Sequence, residues 1–131
     1  IILISCYSSP NASLKEFQDM LNEISLIILK EKSNIILCGD FNAKSHMWSS
    51  KIEDRRGKEL IELANMLDLR LVNVGSVPTC VRTQGSSIVD TTWSSADMIS
   101  KVSRWRVEED EISLSDHRYI TFEVTQGNPA R

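Results

Sequence analysis

Apolar and polar positions divide the chain into short segments whose periods differ. Residues 1–7 form a β-rich apolar run that ends in the turn cluster Ser8-Ser9-Pro10-Asn11. Ser13 with Glu16 three residues later is a capping box. Phe17, Leu21, Ile24 and Ile28 then recur at helical spacing, which predicts a helix to about Lys32. After the break at Ser33-Asn34, residues 35–38 read as a short, wholly apolar strand that runs into Gly39-Asp40-Phe41-Asn42. A polar loop over 43–55 precedes a second amphipathic helix over about 56–67, with Leu60, Leu63, Ala64 and Leu67 as its stripe. Strands are predicted over 70–74, 79–82, 87–93, 103–108 and 119–124, with a short helix or turn over 96–102. The order strand, helix, strand, helix, then several close strands predicts a mixed α/β (α+β) layer arrangement in which helices cover a sheet. It lacks the regular alternation of a doubly wound nucleotide fold, and there is no Gly-rich phosphate loop.

The length of 131 residues fits one domain, expected over 1–124, with 125–131 as a tail. Lys plus Arg number 15 against 18 Asp plus Glu, a formal charge of −3. That excludes nucleic-acid binding through a broad basic surface, so any such role needs a local patch or a metal ion. Cys6, Cys38 and Cys80 are odd in number, widely spaced and set among apolar neighbours. They read as buried free thiols, with an intracellular setting and no disulfide framework. No apolar run is long enough for a bilayer span, so no membrane partner is expected. The chain opens in a buried-type strand without Met, which reads as the C-terminal portion of a longer domain.

Chemistry-bearing residues cluster at predicted strand ends: Tyr7, Asp40 with Asn42, Asp90, and Asp116 with His117. Singly, each has an ordinary explanation. Gly39-Asp40 can be a turn, Ser115-Asp116-His117 can cap a strand, and Tyr7 can be a half-buried strand residue. Asp90 is harder to dismiss, because a carboxylate between Val89 and Thr91 either faces water or needs a buried partner. His46 with Asp54 lacks metal-ligand spacing and reads as solvated loop. Trp48, Trp93 and Trp105 could stack on bases, but Trp93 sits in a strand and reads as core. The basic residues Lys44, Lys51, Arg55, Arg56 and Lys58 could meet phosphates or simply be solvated.

Together, Gly39-Asp40-Phe41-Asn42-Ala43, Ser87-Ile88-Val89-Asp90-Thr91 and Ser115-Asp116-His117 resemble the endonuclease/exonuclease/phosphatase family. Trp48, Arg56-Gly57, Asn73, Pro78-Thr79 and Trp105-Arg106-Val107 make the chain most similar to the apurinic-endonuclease-like nuclease domain of non-LTR retrotransposons. The resemblance implies a partial two-layer β-sandwich with flanking helices, lacking its N-terminal part, and phosphodiester hydrolysis dependent on Mg²⁺ or Mn²⁺. It implies that Asp40 positions or deprotonates the attacking water, and that Asn42 holds that water and the phosphate. His117 would donate to a phosphoryl oxygen, Asp90 would orient the imidazole, Asp116 would lie close to the metal, and Tyr7 would hydrogen-bond the scissile phosphate. Arg56 is a further substrate contact on this reading. The family's principal metal-binding Glu lies on earlier strands, so impaired activity is expected of this piece alone.

The resulting expectation is a DNA-nicking endonuclease from a retroelement polyprotein, with DNA as partner and access to the nucleus. The alternatives are a phosphatase or lipid phosphodiesterase of the same fold, and a non-catalytic remnant.

Overall fold

A computed structural model describes residues 1–126; residues 127–131 of the anticipated tail lie outside the described residues. In chain order the elements are β1 (Ile2–Tyr7), α1 (Leu14–Glu31), β2 (Ile35–Asp40), α2 (Arg55–Leu67), β3 (Leu69–Leu71), β4 (Cys80–Arg82), β5 (Gly85–Ser87), β6 (Asp90–Ser95), β7 (Val102–Glu108) and β8 (Tyr119–Val124). Single 3₁₀ turns span His46–Trp48 and Ile99–Lys101. The capping box forms as expected: Ser13 Oγ accepts from the Glu16 amide at 3.1 Å and Glu16 Oε1 accepts from the Ser13 amide at 3.0 Å. Asp54 caps α2, accepting from the Gly57 amide at 2.8 Å. Each cap satisfies a backbone donor at a helix start and contributes about 1 kcal/mol.

Four strands form the main sheet in the order β1-β2-β6-β3, with β1 parallel to β2 and the other pairs antiparallel. Side chains alternate between the two faces of a sheet. Ile2, Ile4, Ile35, Leu37 and Trp93 therefore share one face. There they meet Phe17, Leu21, Ile24 and Ile28 of α1 and Leu60, Leu63 and Ala64 of α2 in a single core. Trp48 enters the same core and meets Trp93 edge to face, with ring centroids 5.9 Å apart. The opposite face carries Cys38, Thr92 and Ser94, and it ends in Asp40 and Asp90. The β7–β8 ribbon packs on this side through Trp105 and Val107 against Val72, and the Trp105 indole N–H donates to Thr92 Oγ1 at 3.0 Å. This is a mixed α/β fold with helices on one face of a sheet and β-structure on the other, in agreement with the expected class.

Gly39 is required where β1 and β2 approach, because a Cβ there would collide with the Cys6 carbonyl oxygen. Gly57 is required for the same reason against the Lys44 carbonyl, which lets the start of α2 rest on the loop after β2.

Some boundaries differ from the periodicity. The strand expected over 87–93 is two strands, because Thr79 Oγ1 accepts from the Val89 and Asp90 amides at 3.1 and 3.3 Å and keeps those N–H groups out of a ladder. The strand expected over 70–74 pairs only as Leu69–Leu71. Beyond it, the Asn73 side chain replaces backbone pairing, accepting from the Thr92 amide at 2.7 Å and donating to the Asp90 carbonyl at 3.1 Å. Thr125 still donates its N–H to the Lys101 carbonyl at 2.8 Å, so the tail does not begin to fray at that residue. Among the described residues, no helix is long and apolar enough to cross a membrane.

Candidate active site

Strand register builds the site. Tyr7 pairs with Asp40 across β1–β2, and Asp40 pairs with Asp90 across β2–β6. Partners in register point to the same face, so three side chains from distant segments stand in a row at one end of the sheet. His117 arrives from another direction. The 115–118 segment is pinned to β4 by an isolated bridge between Cys80 and His117, by the Val81 amide on the Asp116 carbonyl at 2.8 Å, and by the Arg118 amide on the Thr79 carbonyl at 2.8 Å. Ser115 Oγ accepts from the His117 amide at 3.0 Å and Ser113 Oγ donates to the His117 carbonyl at 2.7 Å. The backbone of His117 is thereby fixed without help from its ring.

The ring lies between the two carboxylates. Nδ1 is 2.8 Å from Asp90 Oδ2 and Nε2 is 3.3 Å from Asp40 Oδ2. The Asp40 and Asp90 side chains are only 13% and 17% exposed, against 28% for His117, so the contacts are shielded yet open on one side. Asp90, the carboxylate that needed a partner, has one. Asp40 Oδ1 accepts from the Asn42 amide at 3.0 Å, a turn made with Asn42 in the left-handed region at φ 47°. Asn tolerates that conformation better than most residues. Burial pushes the Asp40 carboxyl above its usual range; the Asn42 N–H opposes this, the Asp90 charge adds to it, and His117 and Arg82 oppose it. The ligand atoms of Asp40, Asp90 and His117 all lie within 4.8 Å of one another, a grouping able to hold a metal ion.

A sequence profile described as endonuclease-reverse transcriptase matches residues 1–121. The chain belongs to that family. Among solved structures it is similar to the endonuclease domain of TRAS1, a telomere-specific non-LTR retrotransposon. The identity is 36% with a TM-score of 0.85, covering 93% of this chain and 54% of that one. The chain thus spans about half the length of that relative. It also shares its fold with a 3′-5′ exonuclease from Neisseria meningitidis, at 18% identity and a TM-score of 0.69, covering 95% of this chain and 61% of that one. No curated protein sequence matches the chain.

The other expected site residues of this endonuclease-reverse transcriptase chain fall at graded distances from the bridge. Asn42 adjoins it, with its side-chain amide donating to the Ser8 carbonyl at 2.6 Å. Tyr7 stands beside Asp40 in register and is 66% exposed, available to a ligand above the sheet edge. Asp116 departs from expectation: it is outside the three-residue grouping, and its carboxylate meets Arg82 at 3.2 Å instead. Arg56 departs further. Its guanidinium donates to Ser8 Oγ, and to the carbonyls of Phe41, Ser9 and Ala12, at 2.7–3.3 Å, and it covers the Phe17 ring at 5.0 Å. It ties the turn after β1 to α2 and to the site strand, rather than facing solvent phosphate. Arg56→Met is therefore expected to lower stability by about 2 kcal/mol in chemical denaturation, because it strands several carbonyl acceptors. The salt dependence of DNA binding is expected to stay unchanged, and a change in that slope would restore Arg56 as a phosphate contact.

The weaker features resolve as structure. His46 Nδ1 lies 3.0 Å from the Ser50 carbonyl, and Asp54 is a helix cap. All three tryptophans are buried, each indole N–H donating to an internal oxygen. The three cysteines are free. Burial pushes all three thiols up, Cys6 to about 12, so none is a ready nucleophile. Thr79 and Arg82 were not singled out from sequence. Thr79 is fully buried and positions Asp90 through its hydroxyl.

Proposed function

We propose that this chain forms part of a DNA-nicking endonuclease, carried in a retroelement polyprotein with a reverse transcriptase, that hydrolyses one phosphodiester with Mg²⁺ or Mn²⁺. The observation that supports it best is the imidazole of His117 held between Asp40 and Asp90 at the end of the sheet. The donor set fits a divalent cation: two carboxylates offer hard oxygen ligands suited to Mg²⁺, and an added imidazole is acceptable to Mn²⁺. Such an ion, when bound, neutralises phosphodiester charge and acidifies a water.

The chain's own groups do the rest. Asp90 accepts from His117 Nδ1–H and fixes the ring, so that Nε2 is the nitrogen turned towards the substrate side. Nε2–H then donates to a phosphoryl oxygen and stabilises charge in the transition state. Asp40, its carboxyl held above the usual range, accepts a proton from the attacking water. Asn42 and Tyr7 flank this centre and orient the water and the scissile phosphate. Genomic DNA as target implies an intracellular protein with nuclear access. The nick exposes a 3′-hydroxyl from which reverse transcription can start.

Supercoiled plasmid tests the reading. With Mg²⁺ or Mn²⁺, the polypeptide that carries this chain is expected to convert plasmid to the nicked circle, and EDTA is expected to stop it. Phosphate release from inositol phosphates with plasmid left intact would instead identify a small-phosphate hydrolase. No cleavage, with no rise in melting temperature on adding either ion, would identify a non-catalytic remnant.

A further inference from the structure

The loop between β2 and α2 and the β4–β5 hairpin enclose a cavity of about 270 Å³ that the chemistry above does not use. Lys44 and Lys51 line it together with Ser49 and Ser86, over an apolar floor that includes Pro78 and Ile88. Neither ammonium takes part in an ion pair among the described residues. The acidic residues of the same loop are engaged elsewhere: Glu53 accepts from Ser45 Oγ at 2.8 Å and Asp54 caps α2. Lys44 is firmly mounted, its amide donating to Asp54 Oδ1 at 3.0 Å and its carbonyl accepting from the Asp54 amide at 3.0 Å. It also lines a second groove that contains Asn42. The cavity is therefore continuous, through one side chain, with the edge of the catalytic centre.

Its chemistry is that of a nucleotide receptor: two cations and hydroxyls at the mouth suit a phosphate, and the apolar floor suits the face of a sugar or base. A chain of net charge −3 needs such a local patch to hold a polyanion. Ile88 lies two residues before Asp90, and two extended residues reach roughly 7 Å. That is about two nucleotide steps of a DNA strand at about 3.4 Å of axial rise each. We infer that Lys44 and Lys51 hold a backbone phosphate of the DNA strand about two nucleotides from the bond that is cut. The inference rests on the nuclease reading and adds a phosphate subsite to it.

Fluorescence anisotropy with a labelled duplex in EDTA tests this binding apart from cleavage. The duplexes carry a neutral methylphosphonate at one position at a time, and the protein is the whole polypeptide that carries this chain. Lys44→Gln with Lys51→Gln is expected to weaken binding about five- to tenfold and to lower the slope of log K against log salt by about 1.8, or 0.9 per lost phosphate contact. Neutralising the phosphate about two steps from the cut is expected to weaken the wild type by a similar factor and to leave the double variant unaffected. Lys51→Gln alone, at an exposed position, gives half of the slope change without risk to the fold. An unchanged slope, or losses from protein and DNA changes that simply add, would overturn the subsite and leave the nuclease reading standing. A wild type without salt-dependent duplex binding would remove both.

Discussion

Asp40→Asn is expected to lower the rate of plasmid nicking by about 10³–10⁴-fold, the range for loss of a general base, while leaving the melting temperature at pH 7 equal to or above that of the wild type. Both halves follow from one environment. Asp40 is half-buried, faces Asp90 across β2–β6 and is joined to His117 Nε2 at 3.3 Å. Burial is the main reason its carboxyl is held above the usual range. The folded chain therefore holds that proton more tightly than the unfolded chain does. Stability falls as pH rises from the ordinary carboxylate range to the raised folded value, and above it the ionised Asp40 is a net penalty. An amide of the same shape removes that penalty and the base together, the usual opposition of stability and activity at a site. In the wild type the acid limb of the rate–pH profile is expected above the ordinary carboxylate range. Thermal melts from pH 4 to 8 beside nicking rates check the pair. An Asp40→Asn protein that melts well below wild type at pH 7 would mean that Asp40 serves the fold, and near-wild-type nicking would remove it as base.

Much of the fold was legible because its signals are local. The Ser13–Glu16 box, the Phe17-Leu21-Ile24-Ile28 stripe and the apolar 35–38 run each declare an element within a few residues, and the structure contains all three. The convergence of Asp40, Asp90 and His117 was legible only in part. Strand-end placement and the family resemblance named the residues, but register decides that Tyr7, Asp40 and Asp90 share a face, and register is a property of paired strands. What escaped depends on longer-range hydrogen bonds. Thr79 acts on amides ten and eleven residues later, and that exchange of a ladder for a hydroxyl is why one predicted strand became two. Arg82 draws Asp116 away because β4 lies against the 115–118 segment, with Val81 bonded to the Asp116 carbonyl. Arg56 was read as surface charge because its acceptors are carbonyls, which leave no mark in a sequence.

His117→Ala is expected to cost about 10³-fold in nicking rate and, unlike the change at Asp40, to make the protein more sensitive to alkaline pH. The backbone at 117 is held by Ser113, Ser115 and the bridge to Cys80, none of which involves the imidazole. The loop therefore stays in place when the ring is removed. What is lost is the only group between two carboxylates that stand opposite each other on antiparallel strands. Directly opposed like charges on a sheet cost up to about 1 kcal/mol, and here the opposition of His117 to the raised Asp40 carboxyl disappears as well. Asp40 then keeps its proton to still higher pH, so whatever activity remains has an acid limb displaced upwards. Stability relative to wild type should decline between pH 5 and pH 8 by about that same 1 kcal/mol. Mg²⁺, by taking the place of the lost cationic partner, should recover part of it, seen as a larger metal-induced rise in melting temperature in the variant than in the wild type. A stability deficit that is the same at both pH values would show that the ring acts by packing, and the electrostatic account of the bridge would fall with it.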